Sequence, residues 1–541
     1  MLNVLKLKLM SALEKLLPGA EPRARELFLS GLQGERVSFQ VAYLHPAKSG
    51  WKWGNLEVEA AGVALGVTLR QVHHMPGHMA KHYQTDANYL SRESGLFPDL
   101  LTPIDPAQLP QMPGVWQCLW VDIVCPQAVG EFPLAVTIQG EDGEVLAAES
   151  TTLTVVAGEL PPLRIPRTMW FHGDCLAQYH EVEVFSPAHW EILENFIRYA
   201  VQHGMNTLLT PIHTPPLDTA VGGERTTIQL IDVWEESPGR YGFGFTKLEK
   251  WVEICKAAGV EYYEMAHLFT QWGAKHAPKI VDTVGKKLFG WETDAAEGAY
   301  PEYLRQMLPA LVAKLRELGV AGQTFFHISD EPSLRDLENY RAAHQIVAPL
   351  LEGFRIIDAI SDYDFYKEGL IQNPVCATNH LAPFLAEGTE GLWCYHCCVQ
   401  SRLVPNHFFM QPSARNRILG VLLYKYNMAG FLHWGYNFYN SVHSLHPVNP
   451  FVVTDASGAF PSGDPFVVYP GPGGRPQGSI RLMVAQDGFD DYRALCLLEG
   501  MIGRAAVLEM IGEMTFEDYP QDGAWLLDFR RRVNQRIGAG E

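Results

Sequence analysis

From about residue 25 to 157, apolar and polar positions alternate in short runs broken by Gly and Pro. Arg36-Val-Ser-Phe-Gln-Val-Ala-Tyr43, Val115-Trp-Gln-Cys-Leu-Trp-Val-Asp-Ile-Val124 and Thr151-Thr-Leu-Thr-Val-Val156 are examples. A period near two with turns at this spacing predicts strands, and several such strands in series predict a β-sandwich. Residues 1–20 read as a short amphipathic helical segment ending at Pro18-Gly19. The stretch 158–166, Gly-Glu-Leu-Pro-Pro-Leu-Arg-Ile-Pro, reads as a linker, because adjacent prolines are confined to extended or turn backbone.

Beyond residue 166 the rhythm changes. Strand-like runs at 167–173, 206–213, 261–269, 323–330, 354–360, 374–380, 391–397 and 430–437 alternate with helical patterns. Those patterns include Pro187–His203, Lys247–Ala258, Tyr303–Leu318 and Leu334–Leu351. Eight strands with intervening helices predict an α/β fold, a (β/α)8 TIM-like barrel whose active site forms at the C-terminal strand ends. The expected division is an N-terminal β-sandwich-like domain over 1–157, a linker over 158–166, and a catalytic barrel with C-terminal helices over 167–541.

Composition narrows the function. With 42 basic against 61 acidic residues, the net charge of −19 repels phosphate backbones and anionic lipid, so neither nucleic acid nor membrane is an expected partner. Lysines interrupt the apolar run at the N-terminus, and no stretch is long enough to span a bilayer. Nine cysteines, an odd number scattered through a long chain, fit a reducing compartment. Together these point to a cytoplasmic protein.

The chemistry concentrates at the predicted strand ends. Asp330 and Glu331 fall where the fourth strand should stop, immediately before Pro332. Glycosidic cleavage needs a proton donor for the leaving oxygen and a negative group beside the oxocarbenium-like centre. Adjacent carboxylates also repel, which can raise one pKa enough to keep an acid protonated near neutrality. The alternatives are a solvated loop start, or an Asp that caps the next helix. The other strand ends are polar and aromatic. Strand one supplies Trp170, His172 and Asp174, strand two His213, and strand three His267, Gln271 and Trp272. Strand six supplies Asn379 and His380, strand seven Trp393, Tyr395 and His396, and strand eight His433, Trp434, Tyr436 and Asn437. Ring faces and amide or imidazole groups in one cleft suit sugar hydroxyls and C–H faces.

Competing constellations read as structural. His73, His74, His78 and His82 fall among Met, Pro and Gly and read as an exposed loop. Cys394, Cys397 and Cys398 lie in an apparent buried strand, with no second cysteine pair to complete a zinc site. Gly471-Pro-Gly-Gly474 lacks the lysine of a phosphate loop. Neither a metal nor a cofactor is expected.

Residues 323–332 resemble the catalytic segment of glycoside hydrolase family 123. The resemblance extends to Leu96-Phe-Pro-Asp-Leu-Leu101, Leu119-Trp-Val-Asp-Ile123, Gly430-Phe-Leu-His-Trp-Gly-Tyr436, Asp464-Pro-Phe-Val-Val-Tyr-Pro-Gly471, Ser479-Ile-Arg-Leu482 and Asp487-Gly-Phe-Asp-Asp-Tyr492. It implies a retaining exo-β-N-acetylgalactosaminidase in which the substrate's own acetamido oxygen attacks the anomeric carbon. Carried onto this chain, Glu331 is the general acid and then the base, and Asp330 orients the acetamido N–H. Tyr395 is the expected donor to the acetamido oxygen, with Trp434 as the floor under the ring. His172, Asp174, His213, Trp272, Asn379, His380, Trp393 and Asn437 are the further substrate-binding candidates. The expected partner is a small glycan or glycoside with terminal GalNAc, and the sequence leaves the oligomeric state open. Two alternatives stand beside this reading: a glycosidase of different sugar specificity on the same barrel, or a non-catalytic carbohydrate-binding protein.

Overall fold

The computed structural model describes residues 5–23, 27–46, 50, 52–80 and 82–540, so the outermost residues of the expected domain ranges lie outside it. The chain forms two compact units: residues 1–164, 402–425 and 477–541 in one, and 165–401 with 426–476 in the other.

The first unit is built on two sheets. One contains the strands Lys6–Ser11, Arg36–Leu44, Trp116–Val124, Gly66–Gly77 and Gly95–Pro103 in that spatial order; the other contains Phe28–Leu32, Val145–Val156, Gly130–Gly140, Lys52–Ala60 and Leu109–Gln111. Inward side chains such as Phe39, Val41 and Val121 from one sheet meet Val136, Ile138 and Leu153 from the other in a common core. This is the expected sandwich. Two expectations are corrected. The N-terminal segment is a strand rather than a helix, because Lys6-Leu-Lys-Leu-Met alternates with period two and pairs antiparallel with Gln40–Leu44. His73 and His74 lie within the strand Gly66–Gly77 rather than an exposed loop, and their Nε2 atoms bond the Thr102 hydroxyl and the Leu16 carbonyl.

The C-terminal helices Ile480–Ile502, Arg504–Ile511 and Gly523–Ala539 were expected with the barrel but group with the sandwich. Buried ion pairs account for this. Arg481 forks onto Asp99 through Nε and Nη2 at 2.8 and 2.9 Å, and Arg530 reaches Glu35 at 2.7 Å. Both are charge-assisted contacts, which hydrophobic patterning does not encode.

The second unit is a closed barrel of eight parallel strands: β1 (Arg167–Met169), β2 (Thr207–Thr210), β3 (Tyr262–Met265), β4 (Thr324–Phe326), β5 (Arg355–Ala359), β6 (Asn373–Ala377), β7 (Trp393–His396) and β8 (Gly430–His433). Each lies inside its expected range or within one residue of it. The helices Pro187–Gln202, Thr246–Ala258, Ala299–Glu317 and Leu337–Val347 fall where apolar positions recur at helical spacing. Ser186 caps the first of them with its hydroxyl on the His189 N–H, ahead of a proline at the first helical position. Leu209, Phe325, Ile357, Val375, Trp393 and Leu432 pack together as an apolar core among the strands. Among the described residues, no helix is long and apolar enough to cross a membrane.

Candidate active site

The segment leaving β4 is held residue by residue. The carbonyls of His327 and Ile328 accept hydrogen bonds from the N–H groups of Leu268 (3.0 Å) and Phe269 (2.9 Å). The Ser329 hydroxyl donates to the Thr270 carbonyl at 2.8 Å, and the Asp330 carbonyl accepts from the Trp272 N–H at 2.8 Å. This zipper between the exits of β3 and β4 delivers Asp330 and Glu331 to the C-terminal end of the barrel, where such folds carry their chemistry.

The two carboxyls are treated differently. Glu331 is exposed and has left-handed backbone, φ 45°, where a residue preceding proline ordinarily extends. Such geometry costs on the order of 1–3 kcal/mol and concentrates at functional sites. Tyr395 in β7 donates its phenolic hydrogen to Glu331 Oε1 at 2.6 Å and lies 3.2 Å from the Ser361 hydroxyl. Burial, and then the Glu331 charge, hold that phenol protonated. Asp330 is half-buried, and among the described residues its carboxyl has no hydrogen-bond partner. Burial, then repulsion from Glu331, push it well above the usual carboxylate range; His327 opposes, while Asp358 and Asp218 add to the rise. Burial and the neighbouring carboxylate thus favour the protonated form of Asp330.

Behind the pair lies a buried polar network that the sequence did not single out. Glu264 in β3 accepts from Thr168 Oγ1 (2.7 Å), Trp170 Nε1 (2.7 Å) and His327 Nε2 (2.6 Å). Asp358 in β5 receives the Tyr340 hydroxyl at 2.5 Å and the Ile328 N–H at 3.0 Å, with His327 Nδ1 3.2 Å away. The signal was present: an acidic residue inside Tyr-Tyr-Glu-Met or Ile-Ile-Asp-Ala must be paired if its strand is buried. His267, His327 and Asp358 are close enough for their ligating atoms to share an ion. Both nitrogens of His327 face carboxylates, however, and a ring donating from both has no lone pair for a metal.

The remaining candidates divide. Trp272 is 40% exposed with φ 58° and sits directly against Asp330 through its N–H. Trp434 follows β8, half-buried, its Nε1 donating to Asp464 at 2.9 Å and its ring edge-on to Phe438. His380 is exposed and bonds Asn379 Oδ1, which also accepts from Gln400. These four stay at or near the mouth.

Others are committed inside the protein. Asp174 takes both prongs of Arg225, at 2.9 and 2.8 Å, and the same guanidinium meets His172 Nδ1 at 3.1 Å. His172 Nε2 donates to the Trp434 carbonyl, and Asn437 exchanges two hydrogen bonds with the His172 backbone. Burial and Arg225 push the His172 imidazole down to about 3. His213 donates to the His267 carbonyl at 2.7 Å, and burial pushes it down to about 4. The His172, Asp174 and Asn437 side chains thus lock loops together within the protein. Trp393 is a further correction. It is the first residue of β7, at the end opposite the mouth, packed edge-on to Phe325 at 5.3 Å and against Gly430, where a Cβ would come within 2.3 Å of the ring.

A sandwich unit followed in sequence by a (β/α)8 barrel with a carboxyl pair leaving β4 is the build of a barrel glycoside hydrolase. The comparisons make the class specific. Residues 170–498 match the model of the glycoside hydrolase 123 catalytic domain, and the chain belongs to glycoside hydrolase family 123. The solved structure of a family 123 glycoside hydrolase from Clostridium perfringens, described for glycolipid glycan hydrolysis, is similar over 99% of this chain and 98% of that one, with a TM-score of 0.73 at 14% identity. A β-glucuronidase from Parabacteroides merdae matches far more loosely, with a TM-score of 0.33 at 9% identity over 90% of this chain and 52% of that one. No curated protein matches the chain.

Proposed function

We propose that the protein is a retaining exo-β-N-acetylgalactosaminidase acting by substrate assistance. The observation that carries the reading is the unequal treatment of neighbouring carboxyls: Glu331 is exposed and gripped by Tyr395, while Asp330 is half-buried, unpaired and raised in pKa. A two-carboxylate retaining site sets its groups about 5 Å apart on opposite faces of the bond, which suits adjacent residues poorly. Adjacent carboxyls suit a division of labour. The acetamido N–H of the sugar meets Asp330 and favours its ionised form, leaving the pair's proton on Glu331. The acetamido oxygen then bonds to the anomeric carbon as the glycosidic bond breaks, and the Glu331 proton passes to the leaving oxygen. Glu331, now ionised, takes a proton from water; the water oxygen bonds to the anomeric carbon and the cyclised acetamido group reopens. Tyr395 steadies Glu331 and is within reach of the same sugar, while Trp434 and Trp272 offer ring surfaces to it.

A panel of 4-nitrophenyl β-glycosides tests the assignment. Release from the GalNAc member with none from galactoside or glucoside is expected; equal release from sugars without an acetamido group contradicts it. For Asp330→Asn, a GalNAc-thiazoline inhibitor should bind at least tenfold more weakly, the effect of about 1.4 kcal/mol of lost interaction.

A further inference from the structure

His327 takes no part in the reaction above, yet it is fully buried with both ring nitrogens against carboxylates. Its side chain, that of Glu264 and that of Asp358 are all 0% exposed. Nε2 lies 2.6 Å from Glu264 and Nδ1 3.2 Å from Asp358. A neutral imidazole carries one N–H, and would turn a lone pair toward one of the two carboxylates with no water to intervene. Glu264 also accepts from Thr168 and Trp170, and Asp358 from Tyr340 and Ile328, the pattern of two ionised acceptors rather than of donors to the ring. The geometry therefore calls for an imidazolium.

We propose that His327 is a positioning residue, a permanent internal cation clamped by Glu264 and Asp358, which fixes the exit of β4 and balances the charge of Asp330. The proposal rests on Asp330 and Glu331 being the reactive pair, whatever sugar they act on. Two connections join the clamp to that pair. Along the chain, the Ile328 N–H is tied to Asp358, and the zipper to residues 268–272 runs from the His327 carbonyl to Asp330 without a break. Through space, His327 is the group that opposes the rise in the Asp330 pKa, against Glu331, Asp358 and Asp218. The groups facing His327 are Glu264 from β3, Asp358 from β5, Trp170 just after β1 with its ring nearly perpendicular, and His267, whose ring stacks on it at 4.1 Å and 19°. Burial, and then the charge of His327 itself, keep His267 neutral, so the cation is single. Burial alone would lower His327, but the bonds to Asp358 and Glu264 outweigh it and raise the ring to about 9.

The full chain labelled with ¹⁵N-histidine provides the test, with the His327 signal assigned by its loss in His327→Gln. Both ring nitrogens should remain protonated well above neutrality; a neutral His327 at pH 7 overturns the proposal. In kcat/KM profiles on 4-nitrophenyl β-GalNAc, His327→Gln should move the acid limb upward by about one pH unit, with kcat falling more than KM rises. A uniform loss at every pH, with the limb in place, would show a structural role only. Should His327→Gln not fold, Glu264→Gln removes one of the two clamping charges and must lower the pH at which His327 loses its proton; an unmoved titration also overturns the proposal. Were no acetamido sugar cleaved, the substrate assignment would fall, while the labelled-histidine titration would still decide the charge of His327.

Discussion

The Tyr395 hydroxyl donates to Glu331 Oε1 at 2.6 Å, joining β7 to the segment that leaves β4 at the C-terminal end of the barrel. The bond occupies one carboxyl oxygen of Glu331 and leaves the other to carry the transferable proton. It also compensates the left-handed backbone at Glu331, which needs something to hold its side chain in one direction. Tyr395→Phe should lower kcat/KM by about 10- to 100-fold, the worth of a hydrogen bond to a charged group of about 1.5–3 kcal/mol, with little change in melting temperature. Steady-state kinetics beside a thermal melt check both halves of the expectation.

Glu331→Gln should lose about 10²- to 10⁴-fold in turnover on glycosides with poor leaving groups, the usual share of general acid catalysis. The loss should be much smaller on dinitrophenyl glycosides, whose departure needs no proton. Parallel kinetics on an alkyl and a dinitrophenyl substrate provide the comparison. Equal losses would remove Glu331 from the proton-transfer role.

His172, Asp174 and Asn437 mark the difference between reaching the mouth in sequence and presenting a side chain there. Asp174→Asn breaks a fully buried pair with Arg225 and should cost about 3–5 kcal/mol of stability. Enzyme that remains folded should keep its KM. Urea denaturation and kinetics below the transition separate the two effects; a large rise in KM with unchanged stability would return Asp174 to the substrate.

Stability should fall as pH rises through about 9. The His327 ring is raised in the folded chain above its ordinary value near 6.5, so its stabilising contribution is complete below that value and is lost through the folded one. Melting temperatures measured between about pH 6 and 10 should show this slope in the native chain, and His327→Gln should flatten it. Identical slopes in the two proteins would mean that His327 binds no extra proton on folding.

Much of this was legible in the chain. All eight barrel strands follow from apolar runs bounded by turns, and Asp330–Glu331 from their place at the end of the fourth run. The shortfalls share a cause. Periodicity reports which face of an element is buried, but not which polar group meets which across 30 to 500 residues of sequence. The His327–Glu264–Asp358 clamp, the Asp174–Arg225 pair and the Arg530–Glu35 pair that holds the last helix to the sandwich are all of that kind. Trp393 failed for a simpler reason. Strand-end position was assigned to a whole predicted run, whereas β7 starts at that residue and its ring packs on Phe325 in the apolar core among the strands.

The central claim is that the substrate's acetamido oxygen is the nucleophile. Replacing the N-acetyl methyl of 4-nitrophenyl β-GalNAc by mono-, di- and trifluoromethyl groups weakens that oxygen stepwise while leaving the glycosidic bond and the leaving group alone. Measured across this series, log kcat/KM should fall steadily with each fluorine, spanning several powers of ten, and a flat series would contradict the account.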